Sequence, residues 1–220
     1  MNHSYILCLL YYVLTRLRNY KGDDYLQLND IISHCQLGDL ECFEELYKLY
    51  YRKAFGTAYN ISGQKGLAED IAQEAFIICY KSIKHLKNSQ TFNTWFYRIV
   101  VRVSWKIVKE QNNSNYDNFT NDLDRIGISR NTSDASIEEM ASNLLIKEKI
   151  QALKLPLKTV LILYYYNDMS VKEISKVLDC FEGTVKSRLF KARRILLGEL
   201  APYYKDTFKN FDLNEKEVHI

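Results

Sequence analysis

Residues 169–194 constrain this chain more than any other stretch, because they read as two short helices across a tight turn. Val171, Ile174 and Leu178 recur at i, i+3 and i+7, one face of a helix. Asp179–Cys180–Phe181 forms the turn. A second helix follows, with Val185, Leu189, Ala192 and Leu196 on its inner stripe. Its other faces carry Thr184, Lys186, Ser187, Arg188, Lys191 and Arg194. In a DNA-binding helix-turn-helix the second helix enters the major groove, and its N-terminal side chains reach base edges. Arg suits guanine, Ser and Thr suit several bases, and flanking Lys and Arg suit phosphates.

Eight glycines and two prolines in 220 residues leave few turns, and no strand alternation stands out. The expectation is an all-α chain of two small helical domains joined by a flexible linker. The first domain spans about 26–111, in four helices. Helix one covers about 26–37. Helix two is capped by Asp39 and has a core stripe of Phe43, Leu46, Tyr47, Tyr50, Ala54, Thr57, Ala58 and Ile61. Helix three spans about 67–84 and helix four about 92–111. The second domain spans about 137–200. Ile137, Met140, Leu144, Leu145 and Ile150 begin its core, and Pro156 starts a helix ending near Tyr166. Residues 112–136, with six Asn and four Asp, form the linker. It is either a solvated tether or an acidic mimic of a nucleic-acid backbone.

Three further segments are less informative. The apolar run at 5–14 is too short to span a bilayer, which needs ~20 residues. Its basic residues follow it, unlike those of a secretory signal. Residues 1–25 are therefore an atypical extension, read either as an extra packing helix or as a segment with no role. The tail 201–220 has mixed charge. The five cysteines are odd in number and widely spaced, with no CxxC pair, which points to reduced thiols inside the cell. The expected localisation is cytoplasmic, with no metal or other cofactor.

Charge separates two surfaces within the first domain. Residues 30–74 hold eight acids and four bases, whereas residues 75–109 hold seven bases and no acid. Asp70, Gln73 and Glu74, at i, i+3 and i+4, share a face away from the buried stripe. On helix four, Arg98, Arg102, Lys106 and Lys109 form one cationic stripe, interleaved with Trp95, Phe96, Tyr97 and Trp105. Cations beside rings on which bases stack suit an opened strand. Trp95 and Phe96 read better as core.

Four blocks, in this order and spacing, resemble bacterial RNA polymerase sigma factors of the sigma-70 family, extracytoplasmic-function group. They are CQLGDLECFEELYKLYYRKAF at 35–55, LAEDIAQEAFIICYKSI at 67–83, TFNTWFYRIVVRVSWKIVKE at 91–110, and LPLKTVLILYYYNDMSVKEISKVLDCFEGTVKSRLFKARRIL at 155–196. The resemblance implies a non-enzymatic factor that docks on core RNA polymerase, selects promoter DNA and assists its melting. Asp70, Gln73 and Glu74 match the acidic motif that meets the clamp helices of the polymerase's largest subunit. Residues 87–91, which include Lys87, Asn88, Ser89 and Gln90, match the loop that captures a flipped base. Helix four matches the −10 surface, and the second domain matches the −35 reader, which also binds the polymerase flap. An anti-sigma factor is a further implied partner; a small-molecule substrate is not. The competing expectation is a free-standing helix-turn-helix regulator, which accounts for neither the acidic face nor helix four.

Three departures from the family pattern stand out. Arg102 and Lys106 occupy positions where the family more often has Asn and Asp, so the −10 preference is open. Asp179 replaces the usual turn glycine, which Asp tolerates better than most residues. Phe181 replaces a capping Ser or a Pro, at a cost of about 1 kcal/mol unless it packs or Thr184 substitutes.

Overall fold

The computed structural model describes residues 25–114 and 137–203, all helices and turns. The first domain comprises α1 (Tyr25–Gln36), α2 (Leu40–Ser62), α3 (Lys65–Ser82) and α4 (Phe92–Ser114). Short 3₁₀ turns at Ile83–His85 and Ser89–Thr91 join α3 to α4. The second comprises α5 (Ile137–Ala152), α6 (Leu155–Leu161), a π-helical turn at Ile162–Tyr166, α7 (Val171–Leu178) and α8 (Glu182–Leu200). The apolar run at 5–14, most of the linker and nearly all of the tail lie outside the described residues, as do the side chains of Ile137 and Met140.

Local chemistry fixes the helix ends. The Asp39 carboxylate accepts from the backbone N–H groups of Glu41 at 2.9 Å and Cys42 at 3.2 Å, satisfying two amides that the first turn leaves open. Those bonds also hold the Asp39 carboxyl below its ordinary pKa. Gly63 closes α2 in the left-handed region at φ 80°, its N–H donating to the Tyr59 carbonyl. Before α7, Ser170 and Glu173 form a reciprocal capping box. Asp179 follows that helix at φ 53°, the left-handed turn expected there.

The inner stripes face inward as their periodicity predicts. Leu46, Ala54, Ile61, Ile71, Ala75 and Cys79 are buried in the first domain, and Val185, Leu189, Ala192 and Leu196 in the second. Burial pushes the Cys35 and Cys79 thiols up to about 12, so both stay protonated and inert. Two expectations are corrected. Helix three runs from Lys65 to Ser82 rather than 67–84, because the chain tightens into a 3₁₀ turn at Ile83. Leu144 is 42% exposed, on the outer side of α5, while Ile146 takes the core position.

The two domains also pack on each other. One cluster of buried side chains runs from Ile32 and Phe96 through Ile162 and Leu189. At its centre the Asn167 amide Nδ2 donates to the Thr57 hydroxyl at 2.9 Å. Thr57 in turn donates its single proton to the Lys53 carbonyl at 2.8 Å. Gln151 donates to the Asn60 carbonyl at 2.7 Å and accepts from Lys158, whose ammonium is driven down to about 8 by burial. Lys147 donates to the Tyr59 hydroxyl at 2.7 Å.

Gly56 makes this approach possible. A Cβ there would overlap the hydroxyl end of Tyr166, a ring that is itself buried. Gly56→Ala should favour the α2 backbone by roughly 0.5–1 kcal/mol yet expel Tyr166 from its notch. We expect unchanged helicity by circular dichroism and a larger radius of gyration by small-angle scattering. Gly66→Ala, at a position where a Cβ meets nothing within 4 Å, should leave the radius unchanged. An unchanged radius for Gly56→Ala would contradict this packing.

Candidate nucleic-acid and protein interfaces

Three exposed surfaces emerge, each on a different helix. On α3, Ala68, Ile71, Ala72, Ala75 and Cys79 are buried, which turns Asp70, Gln73 and Glu74 outward together. Ile77 and Tyr80, each 47% exposed, continue that side by roughly two turns. Neither carries a charge or motif that marks it in the sequence, although Ile77 stands seven residues after Asp70. An acidic face continued by apolar side chains repels a nucleic acid and suits a protein.

The loop before α4 is held by its own polar groups. The Asn88 side chain accepts from the Gln90 N–H at 2.9 Å, and Thr91 donates to the Asn88 carbonyl at 2.7 Å. Gln36 of α1 donates to the carbonyls of Ile83 and Leu86, tying the loop down from behind. Lys87, Asn88 and Gln90 are exposed and Ser89 half-buried. The loop thus presents polar side chains on a fixed backbone.

On α4, Phe96 and Tyr97 are buried and Trp95 and Trp105 half-buried. Phe96 stacks with Phe92 and packs against Tyr50 and Phe76, so it belongs to the core. Burial holds the Tyr97 phenol well above its ordinary pKa. The cationic stripe is corrected at one end. Arg102, Lys106 and Lys109 are exposed, but Arg98 turns toward the second domain and donates through Nε and Nη2 to the Lys176 carbonyl of α7. A guanidinium finds a backbone acceptor there, so three cations of the four remain on the open face. Trp105 likewise donates from Nε1 to the Thr159 hydroxyl of α6 at 2.9 Å. This helix therefore shares one side with the second domain.

The third surface is α8. Lys186, Ser187, Lys191 and Arg194 are exposed, and Thr184 and Arg188 half-buried. Arg193, adjacent in sequence, serves another purpose. It donates to the Tyr165 hydroxyl at 2.9 Å and lies over the Tyr164 and Tyr165 rings. It braces the π-helical turn from which Tyr166 reaches Gly56. Among the described residues, no group of three or more His, Cys, Asp or Glu is placed to hold a metal ion. Nor is any described helix long and apolar enough to cross a membrane.

These features define a two-domain helical factor with a helix-turn-helix reader. Comparison with known proteins makes the class specific. Residues 46–112 match the family Sigma-70 region 2, and residues 143–196 match Sigma-70, region 4. The chain is 29% identical to the ECF RNA polymerase sigma-E factor of Haemophilus influenzae, over 80% of this chain and 97% of that protein. It is 29% identical to the ECF RNA polymerase sigma factor SigW of Bacillus subtilis, over 77% of this chain and 94% of that protein. Its fold is similar to the sigma factor RpoE of Bartonella quintana, solved in complex with the anti-sigma factor NepR. That match has a TM-score of 0.60 and 16% identity, covering 73% of this chain and 98% of the other. The chain belongs to the sigma-70 family, in the extracytoplasmic-function group. It is an alternative sigma factor, a factor for transcription initiation.

Phe181 is the N-terminal flanking residue of α8, in extended conformation with no side-chain cap bond. Among the described residues it packs on nothing, and Thr184 makes no cap bond in its place. Phe181→Ser should therefore stabilise the fold by about 1 kcal/mol, because a hydroxyl can accept from an open amide of the first turn. Thermal unfolding followed by circular dichroism checks this. An equal or lower midpoint would show that the ring contributes packing.

Proposed function

We propose that the three surfaces divide the work of promoter selection. The α3 face of Asp70, Gln73 and Glu74 docks on core RNA polymerase. The loop of Lys87, Asn88, Ser89 and Gln90, with Arg98, Arg102, Lys106 and Lys109 of α4, holds the −10 region. Thr184, Lys186, Ser187, Arg188, Lys191 and Arg194 of α8 read the −35 duplex. The observation that carries this reading is the opposite chemistry of adjacent helices, acidic and apolar on α3 but cationic on α4. The factor catalyses no reaction of its own and takes no small-molecule substrate. It works in the cytoplasm, with the functional units at 26–111 and 137–200 joined by 112–136. An anti-sigma factor is a further partner, as the Bartonella quintana protein was solved with one.

Melting exposes bases whose stacking is worth about 1.4 kcal/mol per step. A captured base and a cationic strand-binding helix offset part of that loss. Both elements cannot be held by the packed domains at once. Elements named −10 and −35 lie about 25 base pairs apart, roughly 85 Å along a B-form duplex. The domains must therefore part as the promoter is engaged, which frees Arg98 and Trp105 for the strand. The linker allows this, since a chain can extend by about 3.3–3.6 Å per residue.

Transcription from genomic fragments by core polymerase, with and without the protein, tests the function. Initiation at discrete new start sites is expected. Binding of an operator duplex by a dimer, with no effect on core polymerase, would favour the free-standing regulator.

Three variants test the assignments. Asp70→Lys with Glu74→Lys should weaken capture of core polymerase at least tenfold with helicity intact, since both residues are exposed. Unchanged capture would move the docking face elsewhere. Arg188→Ala should cost about 1–3 kcal/mol at a preferred −35 sequence and relax the choice there, whereas Lys191→Ala should weaken all sequences alike. Selection from randomised −35 duplexes distinguishes the two, and an unaltered preference in Arg188→Ala would contradict the reading face.

A further inference from the structure

We propose that Phe181 is a specificity-determining residue of the −35 reader and that it recognises the 5-methyl group of a thymine. This inference rests on the assignment of α8 as the reading helix. Phe181 flanks the N-terminus of that helix, the end that reaches base edges in a helix-turn-helix. Its ring is 87% exposed, the most exposed large hydrophobic side chain among the described residues. Two of its neighbours are committed elsewhere. Cys180 packs against the core, and Val185 is fully buried. The Phe181 backbone is equally committed, its carbonyl accepting from Thr184 at 2.9 Å and Val185 at 3.2 Å. The ring thus stands off a fixed backbone at the rim of a polar and cationic surface made by Thr184, Lys186, Ser187 and Arg188.

No contact among the described residues explains it. The ring fills no core site and joins none of the aromatic contacts that knit the first domain. It occupies a position where a hydroxyl would cap the helix, and α8 has no side-chain cap. In the major groove its complement is specific. The thymine methyl is the one apolar group that base edges present there, and Phe is among the side chains that contact it. The surrounding cations bring the phosphates of the same groove close, so the ring meets bases rather than another protein surface.

The test uses the full chain assembled with core polymerase. Promoter duplexes are first selected from a pool randomised across the −35 element. Each thymine of the selected element is then replaced, one at a time, by deoxyuridine, which lacks only the methyl group. Wild-type holoenzyme should lose about three- to fivefold in affinity at one thymine near the α8 N-terminus, the worth of one buried methyl. Phe181→Ser, which should fold at least as stably, should bind the thymine and deoxyuridine duplexes alike at that position. Phe181→Leu should retain part of the difference. A deoxyuridine profile that is the same in wild type and Phe181→Ser, or a selected element with no thymine on either strand, would overturn the proposal. If Arg188→Ala still relaxes the preference in that case, the reading helix stands and only Phe181 is misassigned. If the wild type selects no −35 sequence at all, the reading helix and this inference fail together.

Discussion

The seat of Tyr166 against Gly56 is the contact on which the packed arrangement depends. A single missing Cβ lets the π-helical turn of the second domain approach α2 of the first. Behind it the Asn167 amide finds the Thr57 hydroxyl, and beside it Gln151 finds the Asn60 carbonyl. These polar groups are lost to water when the domains pack, so each needs its partner across the junction. Arg193, held on Tyr165 from α8, ties α8 to the same turn. Helix α8 and the junction are thus braced by one side chain.

This junction and the cationic helix are not independent. Arg98 and Trp105 make hydrogen bonds to the second domain and also lie beside the open cations Arg102, Lys106 and Lys109. If that face holds the strand as proposed, covering part of it with the chain's own second domain lowers the fraction of molecules competent to bind DNA. The docking on polymerase proposed for α3 uses neither Arg98 nor Trp105, and so it can precede separation of the domains.

Helical periodicity made most of the fold legible. The stripes Leu46–Ala54–Ile61 and Val185–Leu189–Ala192–Leu196 are buried as their spacing requires, and Asp39 and Asp179 adopt the cap and turn that their chemistry favours. The outward placement of Asp70, Gln73 and Glu74 was legible for the same reason. The junction was not. Gly56 sits inside a helical pattern that tolerates a glycine silently, and Asn167 meets a residue 110 positions away. Pairing at that distance leaves no periodic mark. Arg98 and Arg102 likewise look equivalent at i and i+4, and only the Lys176 carbonyl distinguishes them. Phe181 stood out by type, but its exposure follows from how α7 and α8 meet.

We propose that one chain carries two DNA readers, packed together when free and parted on the promoter. The most direct measurement is the distance between fluorescent amino acids encoded at Gly66 and Gly198, positions where a side chain meets nothing within 4 Å. Energy transfer should report one short distance in the free chain. It should report a distance longer by tens of ångströms once core polymerase and promoter are added. The same short distance in a complex that initiates transcription would contradict the account.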